Sequence, residues 1–228
     1  MAGESLQPQG WGPEHERSDI HGLLWLYGLV FFSQFKPTEP FLVDFLVEDK
    51  GFSNHEVYQE IFPLFVYSRF PLLIVTGLAS ELPSVGGTGV LAFGAVCGLI
   101  TVLLTWCGLG HLPQQIAQIT VSASFASRFA VNAVVFQLAS SRTVQQHVHM
   151  MKAVLLLSNS GSAILGEVLR DAHALSLSAM YAISAAATAA AVVCALWLLL
   201  REAPQSARAP VGRCDGGLRA SLSDLFCC

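Results

Sequence analysis

Apolar stretches long enough to cross a bilayer recur along the whole chain, at residues 20–46, 57–80, 85–108, 116–139, 153–169 and 175–200. A spanning helix needs about 20 mostly apolar residues. The sequence is 53% apolar and 12% charged, about half the charge usual in soluble domains. Its expected fold is all-α: a polytopic membrane protein whose residues 20–200 form one six-transmembrane-helix bundle. Residues 1–19 read as a disordered cytosolic leader, being polar with Gly, Pro and mixed charge. Residues 201–228 read as a disordered, Pro/Gly/Ser/Arg-rich cytosolic tail. The first apolar stretch is too long for a cleaved signal peptide, and no small-residue cleavage site follows it.

Orientation follows Lys and Arg rather than net charge. With six spans, Arg17, Arg142, Lys152, Arg201, Arg208, Arg213 and Arg219 fall on the side of the termini, and Lys50 and Arg170 on the other. Both termini are therefore expected in the cytosol, and the protein is expected as a multi-pass component of the plasma membrane.

The cysteines lack metal-ligand spacing. Cys97, Cys107 and Cys194 read as small apolar fillers of spans, while Cys214, Cys227 and Cys228 fall on the reducing side. The Cys227-Cys228 end offers a lipidation site, but no upstream basic cluster supports it and a six-span protein needs no lipid anchor. No metal or other cofactor is expected; His147 and His149, two apart, do not share a helical face. The spans hold no HExxH, Gly-x-Ser-x-Gly or paired aspartates, so an intramembrane enzyme is not expected.

Ionisable residues interrupt the apolar pattern. Residues 31–46, FFSQFKPTEPFLVDFL, hold Lys36, Glu39, Pro37 and Pro40 inside the first stretch. A charge at the centre of a span costs about 2.5–3.5 kcal/mol on insertion scales, so such groups face a bundle interior or a water-filled cavity. The prolines delete backbone donors and break the helix. In the second stretch Arg69 needs a carboxylate, a carbonyl or water, and Glu39 is one available partner. In the fourth, Arg128 has no acidic neighbour in sequence, and Asn132 one turn on is expected on its face. A lone buried arginine suits an anionic ligand, or a carboxylate from another helix. Lys36 and Glu39 either line a solute site or neutralise each other within a packed seam. Residues 158–162, SNSGS, form a small polar patch suited to packing or cavity lining. Gly94 and Gly98 have the GxxxG spacing of closely packed helices, and Ser53 with Glu56 has capping-box spacing, placing a helix start near Asn54.

These residues together resemble a known family. The run FKPTEPFLVDFLVEDKGFSNHEVYQEIFPLFVYS, residues 35–68, is similar to the signature of the reduced folate carrier and thiamine transporter family. The matching positions are Lys36, Pro37, Glu39 and Phe41, then Asp49 and Lys50, then Glu60, Ile61, Pro63, Tyr67 and Ser68, without a gap. Residues 126–136, ASRFAVNAVVF, resemble the family's fourth helix, and QQHVHMMKAVLLL its fifth. The resemblance implies a solute carrier, a vitamin transporter of major-facilitator type: twelve helices in two halves, with solute held at mid-membrane between them. This chain would supply the amino-terminal half alone, its tail standing in place of the second half.

The resemblance also bears on substrate. Folate carriers resemble this chain in carrying arginine where Arg128 stands, whereas thiamine members carry glutamate. Arginine suits the carboxylates of a folate, and a carboxylate suits a thiazolium cation. Phe65 stands where thiamine members carry tryptophan, Arg69 replaces a tyrosine, and Ser84 occupies the basic place of the cytosolic motif that begins at Glu81. The expected function is transport of folate or a related organic anion by alternating access. Arg128 would contact the anion, with Glu39, Arg69 and Lys36 lining the cavity, Tyr67 and Asn132 beside them, and Lys152 guiding anions at the cytosolic mouth. A thiamine transporter, or a non-transporting half that pairs with itself or with a full-length carrier, are the alternatives. No nucleic-acid partner is expected; membrane lipid and a small-molecule solute are.

Overall fold

The computed structural model of the chain describes residues 19–82, 84–172 and 176–206, the last five without side chains. Most of the leader, the tail from residue 207, and Cys214, Cys227 and Cys228 lie outside this range. The described residues are helical throughout, with short connections and no strands. Helix α1 is Ile20–Gln34, α2 Asn54–Glu81, α3 Gly86–Cys107, α4 His111–Leu138, α5 Val144–Asp171 and α6 Leu177–Ser206. The last five are long and apolar enough to cross a membrane. The first span is interrupted, as its prolines require: α1 stops after 15 residues, and the chain resumes as a tight turn at Glu39–Phe41 and short helical pieces ending at Asp49. The architecture is a helical membrane bundle.

Several boundaries differ from those read in the sequence. Helix α5 starts at Val144 rather than at residue 153, because Gln, His, Met and Lys extend a helix readily beyond the apolar layer. Helix α6 continues past residue 200 to Ser206. The capping box at Ser53 and Glu56 starts α2 where expected: the Ser53 hydroxyl accepts from the Glu56 N–H at 3.2 Å, and Ser53 N donates back to the Glu56 carboxylate at 2.7 Å.

Packing follows from small residues and local polar contacts. Helix α1 lies against α5 and α6; α3 lies against α4 and α6; α2 lies against α4. Between α3 and α4, Gly94 and Gly98 abut Ser127 and Ser124, so the GxxxG spacing is used for close approach. A core of Leu26, Leu29, Val90, Val134, Val135 and Ala195 fills the end where the chain enters and leaves the bundle. There Arg201 pairs with Asp19 at 2.9 Å, and Trp25 stacks on Trp197 at 4.8 Å. At the opposite end, Lys50 donates to the Trp106 and Gly108 carbonyls at 2.7 and 3.0 Å, closing the carboxyl end of α3. Arg170 pairs with Asp44 at 2.5 Å and lies over the Phe41 ring.

The break in the first span is fastened on two sides. Ser158 of α5 donates its hydroxyl to the Phe31 carbonyl at 2.6 Å, and Thr38 shares a hydrogen bond of 3.0 Å with Ser184 of α6. Gly166 lets α5 approach the Pro37 carbonyl where any Cβ would collide with it. Neighbouring helices thus anchor a segment whose own backbone pairing the prolines remove.

Candidate functional site

Two hollows flank the broken segment. The larger, about 590 Å³, lies between α2, α3, α4 and α6, and the smaller, about 370 Å³, between α1, α4 and α5. Lys36 and Glu39 line both. Lys36 is 7% exposed, held on the break beside the buried Pro37 and Thr38, while Glu39 opens onto the cavities.

The larger hollow is aromatic. Helix α2 presents Phe62, Phe65, Val66 and Arg69 to it, a stripe at helical spacing. Helix α4 adds Gln118, Val121 and Phe125, α3 adds Thr101 and Thr105, and α6 adds Tyr181. The Tyr181 hydroxyl is buried and has no hydrogen-bond partner among the described residues. The smaller hollow is more polar: Gln34, Asn159 and Ser162 face Arg128 across it, with Phe125 and Leu155 as apolar walls.

Arg128 sits at a break in α4. The helix runs from His111 to Ser127 and again from Ala130 to Leu138. Between the two pieces, Arg128 N, Val131 N and Asn132 N each bond the carbonyl three residues back, at 3.3, 3.1 and 3.3 Å. Such a tightened turn inside a helix is common at functional hinges. It also moves Asn132 out of the 3.6-residue register. Asn132 is exposed and lines neither hollow, so it does not share the face of Arg128 as the spacing predicts.

Glu39 lies within electrostatic reach of Lys36 and Arg128. Among the described residues, Lys36, Arg69 and Arg128 take part in no ion pair, and Glu39 bridges to none of them. Glu39 forms no direct salt bridge to Arg69 or Lys36 among the described residues. Instead, the guanidinium carbon of Arg128 lies 3.7 Å from the Phe125 centroid, and that of Arg69 lies 5.6 Å from both the Phe65 and Phe125 centroids. Aromatic faces accept such cations without cancelling their charge.

Of the residues singled out in the sequence, Lys36, Glu39, Arg69 and Arg128 come together around the two hollows. Tyr67 is 76% exposed on another face of α2, and Lys152 is exposed on α5; neither lines a hollow. Sequence reasoning does not single out Phe125, Gln118, Thr105 or Tyr181. Phe125 was within reach of it, being three residues before Arg128 and hence on the same helical face. The polar patch on α5 divides its work: Ser158 fastens the break, while Asn159 and Ser162 line the smaller hollow.

Comparison with known proteins gives one family. Residues 18–207 match the family model described as reduced folate carrier. The chain is 29% identical to the human reduced folate transporter over 197 residues, which is 86% of this chain and 33% of that protein. It is 27% identical to thiamine transporter 2 of Macaca fascicularis over 185 residues, 76% of this chain and 36% of that protein. It is likewise 27% identical to human thiamine transporter 2 over 177 residues, 77% of this chain and 35% of that protein. The chain thus spans about a third of the length of these curated relatives. With the match covering the whole bundle and both hollows, the chain belongs to the reduced folate carrier family, a family of transporters rather than enzymes.

Proposed function

We propose that this chain is the solute-binding amino-terminal half of a carrier for folate or a related organic anion, working by alternating access. The observation that carries the reading is Arg128: a guanidinium at a helix break, lining the smaller hollow, with no salt bridge to a carboxylate among the described residues. A half-buried cation with Glu39 near but not bridged to it is incompletely compensated, and an anionic solute supplies a direct partner. Lys36 and Glu39 line the same smaller hollow as Arg128. Lys152, about two turns into α5, meets anions arriving at the mouth. Tyr67 and Asn132, which face outward here, contact solute only through a covering second bundle. The protein acts in the plasma membrane with both termini in the cytosol. The similarity to thiamine transporters keeps a thiamine-like cation as the rival solute, drawn by Glu39. Labelled folate uptake by cells making the wild type or Arg128→Glu tests the proposal; equal uptake by both would refute it. Direct binding of folate against thiamine by the purified protein separates the two solutes.

A second reading is favoured by the exposure of two helices. Only 11% of the central stretch of α2 and 17% of that of α5 is buried, against 50% for α3. Val66, Phe70, Leu78, Leu157 and Ile164 stand exposed on them. Such faces suit a covering bundle, either a second copy of this chain or the missing half of a full-length relative, with or without transport. Co-purification of two differently tagged copies tests pairing, and a strictly monomeric species in mild detergent argues against it.

A further inference from the structure

Residues 42–61 form a hairpin at the end of the bundle away from the termini, with a small core of its own. Leu46, Phe52, Val57 and Ile61 are buried together there, apart from the cluster around Leu26 and Val134. Both arms are wound wide. The Lys50 N–H bonds the Phe45 carbonyl and the Phe62 N–H bonds the Val57 carbonyl, each five residues back. Such wide turns gather at functional sites. Proline marks each foot, Pro37 and Pro40 before the hairpin and Pro63 after it. Both feet line the larger hollow, through Lys36, Glu39 and Leu42 on one side and Phe62 and Phe65 on the other.

Polar ties from three parts of the bundle hold the hairpin down. Arg170 of α5 pairs with Asp44. Lys50 reaches the carbonyls at the end of α3. His111, at the start of α4, sets its two ring nitrogens 3.4 and 3.7 Å from the Glu56 and Glu60 carboxylates, and its ring meets Phe52 edge to face at 4.9 Å. The side chains of the Arg170 and His111 ties are a third to a half exposed, where an ion pair contributes little and rearranges readily. One apolar plug accompanies them. Phe45 is 4% exposed and packs with Tyr181 of α6 and Val102 of α3, both of which line the larger hollow.

We propose that residues 42–61 are a hinged flap, which turns about its proline feet and opens the larger hollow at this end by withdrawing Phe45. The movement is made against the chain's own bundle and needs no second bundle. Elements held by few apolar contacts and exposed polar ties open at lower cost than a packed core. The inference does not depend on which solute the hollow takes.

The test uses the full chain in detergent. Val102→Cys places a thiol beneath the plug, and Cys107→Ser removes the exposed thiol at the end of α3. A water-soluble maleimide is added, and the modified sites are followed by peptide mass spectrometry. The thiol at position 102 should react slowly. Arg170→Asp should speed its reaction about two- to fivefold, the scale of one exposed ion pair. Adding Asp44→Arg rebuilds the pair with its signs exchanged and should return the rate toward its starting value. Cys194, buried in the main core, is the internal control and should not change. Immediate reaction at position 102 would show that nothing covers it and overturns the proposal. An unchanged rate in Arg170→Asp overturns it too, as does a rise that the exchanged pair leaves in place. So does faster modification of Cys194 in step with position 102, which would make Arg170 a support of the whole bundle. Hydrogen exchange of the unsubstituted chain is the second reading. Residues 42–61 should open as one unit ahead of α3, and protection equal to that of α3 overturns the flap without any variant.

Discussion

Gly94 on α3 and Ser127 on α4 face each other with no room for a methyl group between them. Gly94→Ala should therefore push the two helices apart at the turn before Arg128. Overpacking of this kind costs about 1–3 kcal/mol. Gly161→Ala, at a site with nothing within 4 Å, should stabilise α5 slightly, by up to about 1 kcal/mol. Melting of both variants in detergent checks the contrast, which fails if the two shifts have the same sign.

Lys50 closes the carboxyl end of α3 through the Trp106 and Gly108 carbonyls and lies 5.4 Å from the Phe45 ring. Lys50→Met keeps the length of the side chain and removes the donors. The expected loss is about 1–3 kcal/mol, arising mainly at the Trp106 carbonyl, since Gln114 also donates to the Gly108 carbonyl at 3.2 Å. A change in denaturation midpoint equivalent to less than about 0.5 kcal/mol would mean that water serves those carbonyls equally well.

Tyr181 packs on Phe45 at 4.3 Å, and its hydroxyl is buried without a partner among the described residues. Tyr181→Phe removes an unsatisfied polar atom and keeps the ring. In the unliganded protein this should be neutral or stabilising, by up to about 1–3 kcal/mol. A clear drop in melting temperature would show that the hydroxyl is bonded in the native protein.

Gly166 admits the Pro37 carbonyl and the Phe41 ring against α5. Gly166→Ala must displace either the broken segment or α5, at about 1–3 kcal/mol. Because Lys36 and Glu39 ride on that segment, folic acid binding should fall together with stability. Binding that survives at full strength in a destabilised Gly166→Ala protein would separate the break from the solute site.

The bundle itself was legible because bilayer length and apolar content are properties of contiguous sequence. Residues 57–80 announce α2, and Ser53 with Glu56 mark its start. The break in the first span was legible too, since Pro37 and Pro40 act locally. The split of α4 was not: nothing between Ser127 and Ala130 is a helix breaker, and the tightened turn is a tertiary outcome. That outcome undid the pairing of Asn132 with Arg128, which assumed an ideal helix. Of the candidate site, the cations were visible as costly exceptions in apolar stretches, whereas the wall was not. Phe62, Phe125 and Tyr181 look like ordinary lipid-compatible residues until helices from distant parts of the chain bring them to one place beside Phe65. Tyr67 and Lys152 show the converse, since a motif position or a charge does not reveal which way its side chain turns.

Helix α4 is two rods rather than one, and the joint between them is the residue that bears the charge. Any force on that guanidinium acts directly on the pivot, with no intervening chain of contacts to carry it. On the proposed function, a solute drawn to Arg128 in the smaller hollow would pull on the joint itself.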